Sequence, residues 1–206
     1  MSQETELKLS VSEHDIAKLL TLSFWNQHAI ERPDSFHLGN TYFDTPDRAL
    51  NKARVALRVR EKEGLYFQTL KTRGHSINGL STRGEWEWPL TSRELDFSLL
   101  EALQLEALEG IAYDSLTPLF ATDFRRTRWN LVWDEPYARI EAAFDRGHVQ
   151  AKGRQSVICE LELELLEGSE QALIRMAEQI SRDVHLTPSD KSKAERGFEL
   201  LNYTGK

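Results

Sequence analysis

Polar and apolar residues exchange places along this chain at two periods. A period of two, the signature of a half-buried strand, recurs in about eight separate stretches. In ETELKLSV, Glu4, Glu6 and Lys8 share one face and Leu7, Leu9 and Val11 the other. In VALRVR, Arg58 and Arg60 oppose Val55, Leu57 and Val59, and in FQTLK, Thr69 and Lys71 oppose Gln68 and Leu70. RGEWEWPL sets Arg83, Glu85 and Glu87 against Trp86, Trp88 and Leu90; FRRTRWNLVW sets Arg126, Arg128 and Asn130 against Thr127, Trp129, Leu131 and Trp133. RIEAAFD sets Arg139, Glu141 and Asp145 against Ile140, Ala142 and Phe144, while ICELELEL sets Glu160, Glu162 and Glu164 against Leu161, Leu163 and Leu165. HLGNTYFDTP adds a strand that ends in a turn, with Pro46 fixing the exit.

Helical spacing fills the gaps. SVSEHDIAKLLTLSFW predicts a helix opened by a Ser12/Asp15 capping box, with Ile16, Leu19, Leu20 and Phe24 as its apolar stripe. LDFSLLEALQLEAL, from Leu95, predicts a second. SEQALIRMAEQISRDV predicts a third, capped by Ser169 and buried through Leu173, Met176 and Ile180. A short closing helix, SKAERGFELL, follows Pro188. No repeat, low-complexity tract or long linker divides the chain, so residues 1–206 are expected to form a single domain.

An ordinary antiparallel sheet with one wet face accounts for any one of these strands. The set favours another solution, because arginines and glutamates hold consecutive same-face positions in strand after strand. If the apolar faces point outward beneath the helices, the charged faces line an enclosed interior. The expected class is α+β: a closed eight-stranded antiparallel β-barrel, a tunnel with a charged interior and amphipathic helices packed outside.

Composition narrows the function. The formal net charge of -7 leaves no global positive field for nucleic acid or an anionic membrane. The single cysteine, Cys159, excludes an internal disulfide and fits a reducing compartment. MSQETELKLS is no signal peptide, and no later segment is long and apolar enough to span a bilayer, so a cytoplasmic setting is expected. Buried charges of both signs must pair or bind ions. Arginine and lysine suit phosphate oxygens, and glutamates suit hard cations such as Mg²⁺ or Mn²⁺, so a metal-bound polyphosphate answers both sets.

The residues also resemble a known family. ETELK is similar to the ExExK signature of the CYTH domain, the triphosphate tunnel metalloenzymes. The likeness continues through YFDTP, ALRVR, TLK, RGEWE, CELELEL and SKAERGFEL, covering about residues 3 to 201. The resemblance implies a triphosphate gripped by Lys8, Arg58, Arg60, Lys71, Arg83, Arg126, Arg128 and Lys193. It implies one or two divalent ions, Mg²⁺ or Mn²⁺, held first by Glu4, Glu6, Glu162 and Glu164. Glu85, Glu87, Glu141, Asp145 and Glu160 are second choices, and Glu4, Glu6 and Lys8 form the catalytic signature. Among the family's activities, hydrolysis of inorganic triphosphate is expected here. Class IV adenylyl cyclase, thiamine triphosphatase and a non-catalytic polyphosphate or nucleotide binder are the rivals. Some bacterial members continue into a helical CHAD domain, which is expected to be absent because the sequence stops at Lys206.

The remaining candidates have plainer readings. His14, His28, His37, His75, His148 and His185 show no metal-ligand spacing, and Cys159 reads as a small packed residue. The segment TRGHSINGLSTRG is expected to be a hairpin loop near a tunnel mouth, with Lys71 and Arg83 at its base.

Overall fold

The computed structural model describes residues 2–72 and 74–203. Ten strands alternate with short helices: β1 Ser2–Val11, α1 Ile16–Leu20, α2 Ser23–His28, β2 Asp34–Asp44, α3 Ala49–Lys52, β3 Ala56–Lys62, β4 Leu65–Lys71, β5 His75–Ile77, β6 Leu80–Leu90, α4 Phe97–Glu101, β7 Thr117–Asp134, β8 Tyr137–Ala151, β9 Arg154–Gly168, α5 Gln171–Ile180, β10 Leu186–Pro188 and α6 Lys193–Asn202. Eight of them close a barrel in the order β1-β9-β8-β7-β2-β3-β4-β6, with β6 returning to β1. All pairings are antiparallel, and β10 and β5 are short additions to β1 and β6. Closure removes the exposed edges that an open sheet of this length would present.

Alternation decides which way each side chain points. The outward residues Leu7, Leu9, Leu161, Leu163, Ile140, Ala142 and Trp129 pack beneath α1, α2 and α5, which contribute Ile16, Leu19, Trp25, Leu173 and Met176. On the opposite wall, Leu57, Leu70, Trp86 and Trp88 pack under α3 and α4 with Leu50 and Leu100. The tryptophans therefore lie outside the barrel, as the sequence predicts.

Helix α6 takes a different position. It packs on Phe120, Phe124, Val149 and Ile158, which share the inner faces of β7, β8 and β9 with the charged residues. Two local devices place it there. Ser192 and Glu195 form a reciprocal capping box that fixes the first turn. Gly197 lies against the Phe120 ring so closely that a Cβ would come within 2.2 Å of it. The helix thus fills one end of the barrel and carries Lys193 inside.

Two predicted helices are shorter than their sequence periods. The 12–25 segment splits into a 3₁₀ turn, α1 and α2, with a break at Thr21 and Leu22. Asp15 does not cap through its side chain; it accepts the backbone N–H of His185 instead. In LDFSLLEALQLEAL only Phe97–Glu101 is α-helical, because the chain turns at Gln104 with φ 48°. No helix is long and apolar enough to cross a membrane, among the described residues.

Candidate active site

The barrel encloses a cavity of about 870 Å³. Strand register builds its walls. Glu6 lies opposite Glu164 and Lys8 opposite Glu162 across β1 and β9. Arg83 lies opposite Glu4 across β6, Glu85 opposite Lys71 across β4, and Arg58 opposite Tyr42 across β2. The mouth is marked by the exposed lining residues Arg54, His75, Ser76, Asp190 and Glu195. As predicted, a hairpin lies beside that mouth, formed by β5 pairing with the start of β6, with Arg73 of the predicted segment outside the described residues. Asp190 accepts hydrogen bonds there from Ser76 Oγ at 2.6 Å and Gly79 N at 2.8 Å.

At the end filled by α6 the charges satisfy one another. Lys193 Nζ lies 2.7 Å from Asp145, 2.5 Å from Glu160 and 2.8 Å from Glu162. Arg126 makes a two-bond fork to Asp145 at 2.7 Å each and reaches Glu162 at 2.7 Å, and Arg196 closes on Glu160. Asp145 and Glu160 have no exposed surface. Burial raises Glu162, but Lys193 and Arg126 outweigh it and hold that carboxylate well below its usual range. Burial lowers Lys193, and its three carboxylates more than reverse that.

A second paired group sits on β1 and β6. Glu4 accepts from Lys71 at 2.8 and 2.9 Å and from Arg83 Nε at 2.8 Å. Arg83 Nη2 also donates to Glu6 at 2.8 Å. Burial raises Glu4, and Lys71 with Arg83 overcomes it, leaving Glu4 far below the normal carboxylate value.

Three further lining groups are under-partnered. Arg58 is buried, reaches Tyr42 Oη only at 3.4 Å, and its Nε has no partner. It is the one buried side-chain polar atom so orphaned among the described residues. Arg60 donates to Asn40 Oδ1 at 3.1 Å and lies 3.7 Å from Glu87. Burial, Arg58 and Arg126 together lower Arg60 to about 10, the mark of guanidiniums crowded without enough anion. Glu164 is the acidic counterpart. Its side chain has no hydrogen bond or salt bridge among the described residues, and burial with the charges of Glu4, Glu141 and Glu85 outweighs the opposing charge of Lys71 and pushes it up to about 8.

These placements sort the predicted residues. Lys8, Arg58, Arg60, Lys71, Arg83, Arg126 and Lys193 line the cavity, as do Glu4, Glu6, Glu85, Glu87, Glu141, Glu162 and Glu164. Three do not. Asp145 and Glu160, second choices for metal, are spent on Lys193, Arg126 and Arg196. Arg128 is off the lining itself; it pairs with Asp34 at 2.7 Å and reaches the lining residue Glu141 at 3.4 Å. Arg54 lines the cavity and was not predicted, because it precedes the alternating run of β3 and belongs to no strand face.

The donor chemistry suits a hard cation at one place and not at another. Asp145, Glu160 and Glu162 bring one oxygen each within 4.8 Å of one another, but the Lys193 ammonium already touches all three. Around Glu164 the charges of Glu4, Glu141 and Glu85 outweigh that of Lys71, a local excess of carboxylate of the kind Mg²⁺ or Mn²⁺ offsets. Among the described residues, however, no three of these carboxylates come within 4.8 Å of one another.

Residues 2–198 match the model of the CYTH domain. The chain is 35% identical over 202 residues, 97% of its length, to an inorganic triphosphatase of Haemophilus influenzae. It spans about half, 55%, of that relative's length. Among solved structures, a candidate adenylyl cyclase of Hippeastrum with a dominant triphosphatase activity matches with a TM-score of 0.65 at 18% identity, over 95% of each chain. A candidate adenylate cyclase of Bacillus halodurans matches with a TM-score of 0.60 at 22% identity, over 95% of this chain and 98% of the other. At such identities these two speak for the fold alone.

Proposed function

This chain belongs to the CYTH domain family, and from that premise we propose that it hydrolyses inorganic triphosphate to pyrophosphate and phosphate with a divalent ion. The observation that carries the proposal is the pairing of two unmet needs in one cavity. Arg58 has a buried donor without an acceptor, and Glu164 is an acid with no ion pair, pushed toward its protonated form by burial and neighbouring carboxylates that Lys71 does not offset. A phosphate chain supplies the first and a divalent ion the second. The 35% identity to an inorganic triphosphatase supports the choice of substrate. Residues 1–206 are read as one working domain.

In this reading Arg58, Arg60, Lys8, Lys71 and Arg83 bind and orient the phosphates, the main work of phosphoryl-transfer catalysis. Arg126 and Lys193, already paired with carboxylates, line the same cavity and hold its α6 end. Glu164, with Glu4, Glu141 and Glu85 around it, would hold Mg²⁺ or Mn²⁺; Glu6 and Glu162 remain at the edge of that set through their strand neighbours. When bound, such an ion neutralises phosphate charge and acidifies a water. The chemistry is a hydrolysis. A water oxygen bonds to a terminal phosphorus, the bridging P–O bond breaks, and pyrophosphate leaves with the electron pair. The proton lost by water passes to the products or the medium. No covalent nucleophile is required.

Phosphate release is to be followed from tripolyphosphate, ATP and thiamine triphosphate, with Mg²⁺, with Mn²⁺ and with chelator. Metal-dependent release that is fastest from tripolyphosphate supports the reading. Cyclic AMP and pyrophosphate from ATP, with tripolyphosphate untouched, would replace it with a cyclase on the same barrel. Tight binding without turnover would make the chain a binder.

A further inference from the structure

We propose that Arg54 is a specificity residue, which grips the unesterified end phosphate of an inorganic chain at the cavity mouth and so favours it over a nucleoside triphosphate. The inference rests on the triphosphate reading above and refines it.

Three observations carry it. The Arg54 side chain lines the cavity yet is exposed, which puts it where the interior meets solvent. It has no hydrogen bond or ion pair among the described residues, whereas Arg83, Arg126 and Arg128 all face carboxylates. An unpaired guanidinium on the path into a charged cavity is a free fork for an anion. Its position is also fixed from below. Buried Asp44 accepts the backbone N–H groups of Thr45, Leu50 and Asn51 at 2.8, 2.8 and 3.0 Å. Thr45 Oγ1 accepts that of Ala49 at 2.8 Å, and Arg54 N donates to Asn51 O at 3.0 Å. The loop that results holds Arg54 at φ 58°, a left-handed conformation that a non-glycine residue adopts at some cost.

The choice of an end phosphate follows from charge and size. Inner cations already line the cavity, so a group at the mouth meets whatever part of the ligand lies outermost. The outer phosphate of an inorganic chain carries up to two negative charges and free oxygens. In a nucleoside triphosphate one end phosphate is esterified, with one charge fewer and a bulky substituent. A guanidinium fork gains a charge-assisted pair from the first and less from the second.

The test compares wild type, Arg54→Ala and Arg54→Lys by the ratio of kcat/KM for tripolyphosphate to that for ATP, with Mg²⁺. Tripolyphosphate and ATP binding is measured in parallel by calorimetry in chelator. Arg54→Ala is expected to lower the ratio roughly 10-fold or more, the worth of one charge-assisted hydrogen bond, and Arg54→Lys to recover part of it. Lys52→Ala controls for general loss of positive field, since Lys52 is exposed, pairs with Asp47 at 2.9 Å and lies off the lining; its ratio is expected to stay at wild type. An unchanged ratio in Arg54→Ala, or an equal fall in Lys52→Ala, overturns the role of Arg54 while leaving the triphosphatase standing. A wild-type protein that neither binds nor cleaves tripolyphosphate overturns both.

Discussion

Two regions of one inner wall use the same residue types on the same strands and reach opposite states. At the α6 end, Lys193, Arg126 and Arg196 meet Asp145, Glu160 and Glu162, and each side chain finds an opposite charge within hydrogen-bond range. Farther along, Arg58 and Arg60 crowd one another, and Glu164 faces other carboxylates. The first region resembles a salt-bridged core that closes the barrel. The second is the site in the proposed reading, because a bound ligand would recover its electrostatic cost. The difference teaches that buried charge by itself does not mark function in this fold; buried charge left unanswered does.

The comparison breaks most visibly at Lys193. Replacing Lys193 with Met leaves three buried carboxylates with two guanidiniums. It is expected to cost about 3–5 kcal/mol in denaturant unfolding, the usual price of orphaning a buried ion. Adding Glu160→Gln to the same chain should return part of that loss, since it removes one unanswered charge. If Lys193→Met unfolds at the wild-type midpoint, the α6 end is not the structural half of the pair.

Arg58→Ala probes the other region and should behave in reverse. Its Nε has no partner to lose, so stability is expected to change by less than about 1 kcal/mol. The KM for tripolyphosphate should rise roughly 10–100-fold, the value of a charge-assisted phosphate contact. A large stability loss with an unmoved KM would make Arg58 a structural residue.

Much of this contrast lies beyond what alternation in the sequence can reveal. The period of two correctly put Glu4, Glu6, Glu162 and Glu164 on inner faces, and the barrel register then brought Glu6 beside Glu164. It put Asp145 and Glu160 on the same faces with equal right. What separates them is the arrival of α6, whose Lys193 and Arg196 come from a helix distant in sequence. The capping pair Ser192/Glu195 and Gly197 were visible, but that Gly197 serves to admit the Phe120 ring inside the barrel depends on tertiary packing. Arg54 was missed for a related reason: a residue in a left-handed loop belongs to neither periodicity. The overlong helix from Leu95 erred because abundant leucine satisfies a helical stripe without specifying where the chain must turn.

Glu164 gives the comparison a pH axis. Its folded value of about 8 exceeds the ordinary carboxylate value of 4.5, so folding favours the protonated form. That contribution is complete below about pH 4.5, declines as pH rises through 8, and is absent above it. In chelator, Glu164→Gln should therefore match wild type near pH 5 and melt at a higher temperature near pH 9. Mg²⁺ at pH 9 should raise the wild-type melting temperature and leave the variant unmoved. A variant that melts with wild type at both pH values would show that Glu164 is not the uncompensated charge.

The smallest effect is expected at Arg128, where sequence pattern and structure part company. Arg128 shares the inner-face parity of Arg126, yet it forks onto Asp34 at 3.0 and 2.7 Å and approaches Glu141 at 3.4 Å. Its side chain is 30% exposed and Asp34 is 48% exposed, so water screens the pair. Partly exposed ion pairs contribute about 0–1 kcal/mol, and Arg128→Ala should cost no more than that. Because the guanidinium lies off the cavity lining, KM for tripolyphosphate should stay within about twofold, well short of the loss of a charged contact. A loss as large as that of Arg58→Ala would mean that Arg128 leaves Asp34 to meet substrate. The boundary between the answered and unanswered charges would then move with the ligand instead of being built into the barrel.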